Sequence, residues 1–413
     1  MEGFSLRSLG DQLRAHQGFG PGFNFARIFL AYSVLVWHTV AIAENGADQA
    51  LRTGLWPLIF AILPMFFALS GFLVTGSALR LPLKEYILNR TFRIVPALGV
   101  DIAISALIIG PIFTTVALPL YFTDPDFWSY SLNIVGKIHY ELPGVFEANP
   151  YAGVVNGALW TVPYEIACYV VMSSMIFVGI VRSWKWTIGF AVILVATAIT
   201  CHLLGFGKGS GLVDKGIRFA FLAKGASLVP SFLVGAALYL MKDRIPYSGF
   251  LALCVGLGII ALGVWGEASL YYNPVFIGLV AFPLAYLVVW IGLTPIPIPK
   301  LLESGDYSYG IYLYHFPILQ ALEHMFGFTS WWALAFAGLL PVTLFAIFSW
   351  HTIEKPTLKM RSRFSLVGAR LAPPHLNSVT KAITMQSSGF VQVPTLLADE
   401  SKKPPATLLG GGG

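Results

Sequence analysis

The chain has 413 residues, of which 56% are hydrophobic and only 11% charged, with a formal net charge of +6 and a mean hydropathy of +0.73. That balance excludes a soluble globular domain and indicates an integral membrane protein. Its apolar runs are each about 20 residues long, enough to cross the hydrocarbon core as helices, which satisfy their own backbone groups in lipid.

Ten such runs succeed one another, roughly 23–43, 54–79, 94–116, 159–181, 184–204, 219–241, 248–266, 271–293, 307–326 and 331–353. They predict an all-α polytopic bundle of about ten transmembrane helices, over a membrane domain of residues 1–356. The first run is too long for a signal-peptide core and lacks a small-residue cleavage pattern, so it reads as a retained span. It carries Arg27 and His38 in "ARIFLAYSVLVWH". Eleven residues on a helix make about 1,100°, roughly 20° past three turns, so both side chains project from one face about 16.5 Å apart. A snorkelling arginine and a packed histidine account for either residue alone, whereas the pair on one face points to a shared polar groove. Arg27 falls near the cytoplasmic entrance and His38 in the outer half of the membrane.

In the second run, Gly71 and Gly76 of "FFALSGFLVTG" permit either close helix approach or a re-entrant bend. Arg90 and Arg93 of "NRTFRIVPA" stand three residues apart at the entry to the third run, neighbours on a helix. Retention of positive charge in the cytoplasm explains one such arginine more easily than two. The fourth run opens with "LWTVPYEIACY", where Pro163 suits a first helical turn. Glu165 then falls about a turn below the outer surface, at the depth of His38, so that a carboxylate–imidazole pair is sterically feasible. Compensation of the helix dipole explains the same glutamate without chemistry. In the ninth run, "DYSYGIYLYHFPI" sets Tyr309, Tyr312 and His315 in the inner half, with His315 shielded by Phe316 and Pro317. Aromatic-belt packing explains the tyrosines and not the histidine.

Lysine and arginine sort across the connections as a topology signal. Arg80, Lys84, Arg90 and Arg93, then Arg182 and Lys185, Lys242 and Arg244, and Lys355, Lys359, Arg361 and Arg363 fall on one side. With an even number of spans, both termini are cytoplasmic, and the basic balance calls for no nucleic-acid partner. Lys208, Lys215 and Arg218 in an outer loop are the exception. Residues 357–413 turn rich in Pro, Ser, Gly and charge, the composition of a disordered cytoplasmic tail. Cys168, Cys201 and Cys254 lie singly in apolar runs, so neither a disulfide framework nor a metal site is expected. No internal repeat or inverted pair of interrupted runs marks a transporter architecture.

In their order and spacing, "ARIFLAYSVLVWH", "FFALSGFLV", "NRTFRIVPA", "LWTVPYEIACY" and "SYGIYLYHFPI", with "IEKP" closing the last span, resemble the acyltransferase 3 family. These polytopic proteins move acyl groups from acyl-CoA onto extracytoplasmic acceptors, mostly sugars. The resemblance covers about residues 22–356 and implies functional roles for Arg27 and His38, for the pair Arg90 and Arg93, and for Glu165. Transfer to a hydroxyl needs a base, which the resemblance puts at His38, with Glu165 orienting its ring. Arg27, Arg90, Arg93 and His315 form the expected donor-binding set, the arginines suited to CoA phosphates by their forked donors.

The expectation is thus a bacterial inner-membrane O-acyltransferase using cytoplasmic acyl-CoA, acetyl-CoA first among candidates, and acylating a glycan or lipid-linked sugar. It needs membrane lipid around it, and neither a metal nor a cofactor beyond the donor. The competing readings are a glycan or lipid transporter that uses the same groove, and a non-catalytic member of a polysaccharide assembly complex.

Overall fold

A computed structural model describes residues 7–44, 51–222 and 224–364. Among them, extended backbone pairs only as three isolated bridges, and everything else of regular structure is helical. An amphipathic helix α1 (Leu9–Ala15) precedes α2 (Phe23–Glu44), α3 (Trp56–Ala78), α4 (Leu83–Phe113), α5 (Gly157–Val178) and α6 (Trp184–Leu204). There follow α7 (Leu212–Leu222), α8 (Gly225–Met241), α9 (Gly249–Trp265), α10 (Pro274–Leu293), α11 (Ser308–Phe326) and α12 (Trp331–Met360). Each of the ten predicted runs is therefore helical. Among the described residues, seven helices are long and apolar enough to cross a membrane, namely α2 to α6, α10 and α12, and α7 with α8 makes an eighth if the two form one bent span.

Helix α11 is left out of that set by its polar content, and burial explains how it tolerates it. Tyr314, His315, Gln320 and Glu323 are all buried, so this helix runs through the bundle interior with its polar side chains turned toward protein. Helix α4 begins at Leu83, well before the apolar run, which puts Arg90 and Arg93 inside a continuous helix instead of on its flank. A π-helical turn at Ser105–Ile109 interrupts it, and the Tyr121 hydroxyl donates to the Ala106 carbonyl released there, at 2.8 Å.

Gly71 settles its two alternatives in favour of close approach. Helix α3 is unbroken, and a Cβ at Gly71 would overlap the Phe232 carbonyl of α8, just as one at Gly235 would overlap the Ala68 carbonyl of α3. On the opposite end of the molecule from the 114–156 segment, α1 is closed by a Ser8–Asp11 capping box and tied down by Gln12 to the Leu293 carbonyl and by Arg14 to Asp243. That end carries the basic connections.

The 114–156 segment does not stay at the surface. Val145, Phe146, Val155 and Asn156 are fully buried, and Asn156 Nδ2 donates to Asp101 at 2.9 Å and to the Leu313 carbonyl at 3.0 Å. The chain dips into the bundle before α5 begins. Backbone beyond α12 remains helical through Phe364. The expected tail otherwise falls on 365–413, outside the described residues.

Candidate active site

A cavity of about 320 Å³ lies where α2, α4 and α11 begin, and its charged lining is Arg27, Arg90, Arg93, Glu165 and Asp306. Leu63, Phe66, Leu73 and Val74 of α3 form an apolar wall along it. Leu63 and Val74 are eleven residues apart, so the cavity follows that helix for about 16.5 Å. Thr161 and Tyr312 line its deeper part, where the Tyr312 hydroxyl meets Thr161 Oγ1 at 2.6 Å and donates to the Ala158 carbonyl.

The arginines are not equivalent. Asp306 Oδ2 accepts from both Arg27 Nη1 and Arg93 Nη2, while its Oδ1 accepts from Ser308 at 2.6 Å. Arg93 also donates to Glu354 Oε2 at 3.0 Å and lies over the rings of Tyr309 and Trp350. Burial by itself would raise the Asp306 carboxyl, but the Arg27 and Arg93 guanidiniums together with Ser308 hold it well below the usual carboxylate range. Arg90 rests over the Tyr169 ring, makes no ion pair among the described residues, and keeps its Nε buried without a hydrogen-bond partner. It is the cation of the cavity whose charge no bridging acid neutralises.

Farther along the same two helices, His38 Nδ1 and His315 Nε2 are 2.6 Å apart. Counting from the Arg27–Asp306 bridge, His38 is eleven residues up α2 and His315 nine residues up α11, rises of about 16.5 and 13.5 Å. The two helices thus carry two polar rungs, an ionic one at the helix starts and an imidazole one inside. His38 lies on the stripe of Ala31, Leu35 and Ile42, each fully buried, yet it keeps part of its surface accessible. His315 is completely buried.

One placement from the sequence is corrected here. His315, expected in the inner half with the donor-binding arginines, stands level with His38 and is absent from the lining of the arginine cavity, whereas the depth of Glu165 differs from the expectation. Glu165, expected near the outer surface beside His38, instead lines the cavity with Arg90 and Arg93 and accepts from the Tyr169 hydroxyl at 2.9 Å. The buried 114–156 segment is the reason, because it starts α5 at the level of Tyr312 and Leu313, deep in the bundle. Sequence reasoning also passed over Asp306 and Glu354. Both stood in quoted motifs, and an acid beside a membrane-level arginine was the available signal. Among the described residues, no cluster of three or more histidine, cysteine, aspartate or glutamate side chains has metal-ligating geometry.

A family model described as an acyltransferase domain matches residues 21–351. The chain belongs to the acyltransferase 3 family. Acyltransferase 3 membership makes this polytopic membrane protein an enzyme of acyl transfer. The chain is similar to Nodulation protein 10 of Rhizobium leguminosarum bv. viciae, 28% identical over 386 residues, which cover 88% of this chain and 100% of the relative. It is also similar to an O-acetyl transferase of Shigella phage Sf6, 23% identical over 347 residues, covering 82% and 96% of the two chains. No solved structure matches it.

Proposed function

We propose that this acyltransferase is a ten-span bacterial inner-membrane protein with cytoplasmic termini. It moves a short acyl group, acetyl foremost, from cytoplasmic acyl-CoA to a hydroxyl of an extracytoplasmic or lipid-linked glycan. The observation that carries the reading is the two-rung arrangement of α2 and α11, with an arginine cavity at the helix starts and a paired histidine about 16.5 Å farther in. An acyl-CoA has matching parts: a phosphorylated head, a slender pantetheine arm and a thioester at the tip.

The phosphates meet Arg90 at the cavity mouth, with Arg27 and Arg93 held beside it by Asp306. The arm lies against Leu63, Phe66, Leu73 and Val74 and brings the thioester past Tyr312 toward the histidines. His38 removes the proton of the acceptor hydroxyl as its oxygen attacks the thioester carbonyl. The carbon–sulfur bond then breaks, and the thiolate leaves with the proton that His38 returns. Similarity to the phage O-acetyl transferase supports an oxygen acceptor and an acetyl donor.

The test separates binding from chemistry. Purified protein in nanodiscs receives radiolabelled acetyl-CoA and a glycolipid extract, and calorimetry follows a non-hydrolysable acetyl-CoA analogue. His38→Ala should abolish transfer and leave analogue binding nearly unchanged, the behaviour of an interaction used mainly in the transition state. Glu165→Gln should impair transfer less. Full transfer by His38→Ala would remove the base from the mechanism.

A further inference from the structure

We infer that His315 is the positioning residue of this reaction. It fixes which nitrogen of His38 holds the proton, and therefore which nitrogen faces the acceptor hydroxyl. The inference rests on the reading of His38 as the base.

The constraint begins one helical turn below the pair. His315 Nδ1 lies 3.0 Å from the Ile311 carbonyl of its own helix. A carbonyl only accepts, so this nitrogen bears a hydrogen. A second hydrogen on Nε2 would leave an imidazolium in a site with no exposure, and among the described residues no carboxylate lies within ion-pair distance of it. His315 Nε2 therefore carries a lone pair. That lone pair meets His38 Nδ1 at 2.6 Å, which makes His38 Nδ1 the donor.

Ring geometry supports the same assignment. The two planes differ by 8° and the centroids stand 4.9 Å apart. That separation is the hydrogen-bond length plus two ring radii, so the imidazoles meet edge to edge in nearly one plane and not face to face. An imidazole lone pair projects in its ring plane, as this arrangement requires. The Phe316 ring stands steeply against the His38 ring with centroids 5.0 Å apart, and the Tyr312 ring stands 6.1 Å from that of His315, so aromatic neighbours flank both imidazoles.

With its hydrogen on Nδ1, neutral His38 has its lone pair on Nε2. A single tautomer is thus held by a relay from the Ile311 carbonyl through His315 to His38. The logic is that of a nucleophile–base–orienter triad, with a buried neutral ring where a carboxylate commonly stands. When Nε2 takes the hydroxyl proton, the hydrogen on Nδ1 stays in place and its bond to His315 becomes charge-assisted. Nε2 then gives the proton to the departing thiolate, and the pair returns to its starting state.

The experiment uses full-length protein with isotope-labelled histidine in liposomes, with His38 assigned by its loss in His38→Asn. Solid-state nuclear magnetic resonance should find wild-type His38 protonated on Nδ1 and bare on Nε2. His315→Gln supplies a carbonyl that accepts from the same nitrogen, whereas His315→Leu supplies none. The glutamine variant should keep the tautomer and lose at most about tenfold in acetyl transfer from acetyl-CoA to the glycolipid extract, the leucine variant about 100-fold or more. Both should bind the acetyl-CoA analogue like wild type, which also reports that they fold. A wild-type His38 protonated on Nε2 overturns the inference, as does equal loss of turnover in the two variants. The failures are distinguishable, because transfer surviving His38→Ala refutes the base itself whatever its tautomer.

Discussion

At the scale of single residues, the three arginines of the cavity divide by their bonds. Arg90 stands over Tyr169 with no acid bridged to it, so Arg90→Ala removes a contact that a phosphate would use. Binding of the acetyl-CoA analogue should weaken by about 1.5–3 kcal/mol, with the unfolding midpoint little changed. Arg93 joins two acids, and Arg93→Ala strands Asp306 and Glu354 with less compensation in a buried site. Its first effect should be on stability, about 3–5 kcal/mol as for a broken buried ion pair, read as a lowered unfolding midpoint in detergent. Equal stability of the two variants would contradict this division. Asp306 adds a pH signature. Its folded-state carboxyl titrates below the ordinary range, so the stability it contributes is complete above the unfolded-chain value of about 3.9 and is lost as pH falls through that value toward the folded one. Unfolding midpoints should carry this group's full and constant contribution between about pH 5 and 8 and drop below about pH 4. Asp306→Asn should flatten that acid drop while lowering the plateau, and an unchanged drop would assign the acid limb to another carboxylate.

At the scale of elements, two local devices set the site. One is the backbone contact of α3 with α8, where Gly71 and Gly235 each face the other helix's carbonyl oxygens. Because α3 supplies the apolar wall of the cavity, Gly71→Leu should force the helices apart, cost about 1–3 kcal/mol, and weaken analogue binding without removing the His38–His315 pair. A variant with wild-type stability and affinity would show that α3 has slack at this point. The other device is the buried run before α5, anchored by Asn156 to Asp101 and Leu313. Periodicity and apolar length made the helices legible, and the eleven-residue spacing made the shared face of Arg27 and His38 legible as well. The depth of Glu165 was not legible, since nothing in a polar-looking connection with Asp124, Asp126, Glu141 and Glu147 announces that its far end returns into the bundle. Hydropathy reads where a chain leaves lipid and is blind to re-entry inside protein. The His38–His315 bond was hidden for a related reason, because single-helix geometry ranks residues along one axis and does not align the axes of two helices 277 residues apart in sequence.

At the scale of the whole molecule, the inequality of the two ends gives the reaction a direction. The end that holds α1, Lys242, Arg244, Arg90 and Arg93 is the basic one, the end that the proposed topology turns to the cytoplasm. The arginine cavity belongs to that end, while the 114–156 segment, with four acids against Lys137, closes the other. A donor that enters only at the basic end and an acceptor that meets His38 from the far side would let the acyl group cross while CoA stays behind. Membrane vesicles decide this. In inverted vesicles the basic end faces the medium, so added acetyl-CoA should label glycan; in sealed right-side-out vesicles it should not, until the membrane is permeabilised. Arg90→Ala should shift the acetyl-CoA concentration needed in inverted vesicles upward, about tenfold or more for a loss of about 1.5 kcal/mol or more. His38→Ala should give no label in either orientation. Equal labelling of both sealed preparations would mean that acyl-CoA reaches the histidines from either side, and the division of the bundle into a donor end and an acceptor end would fail.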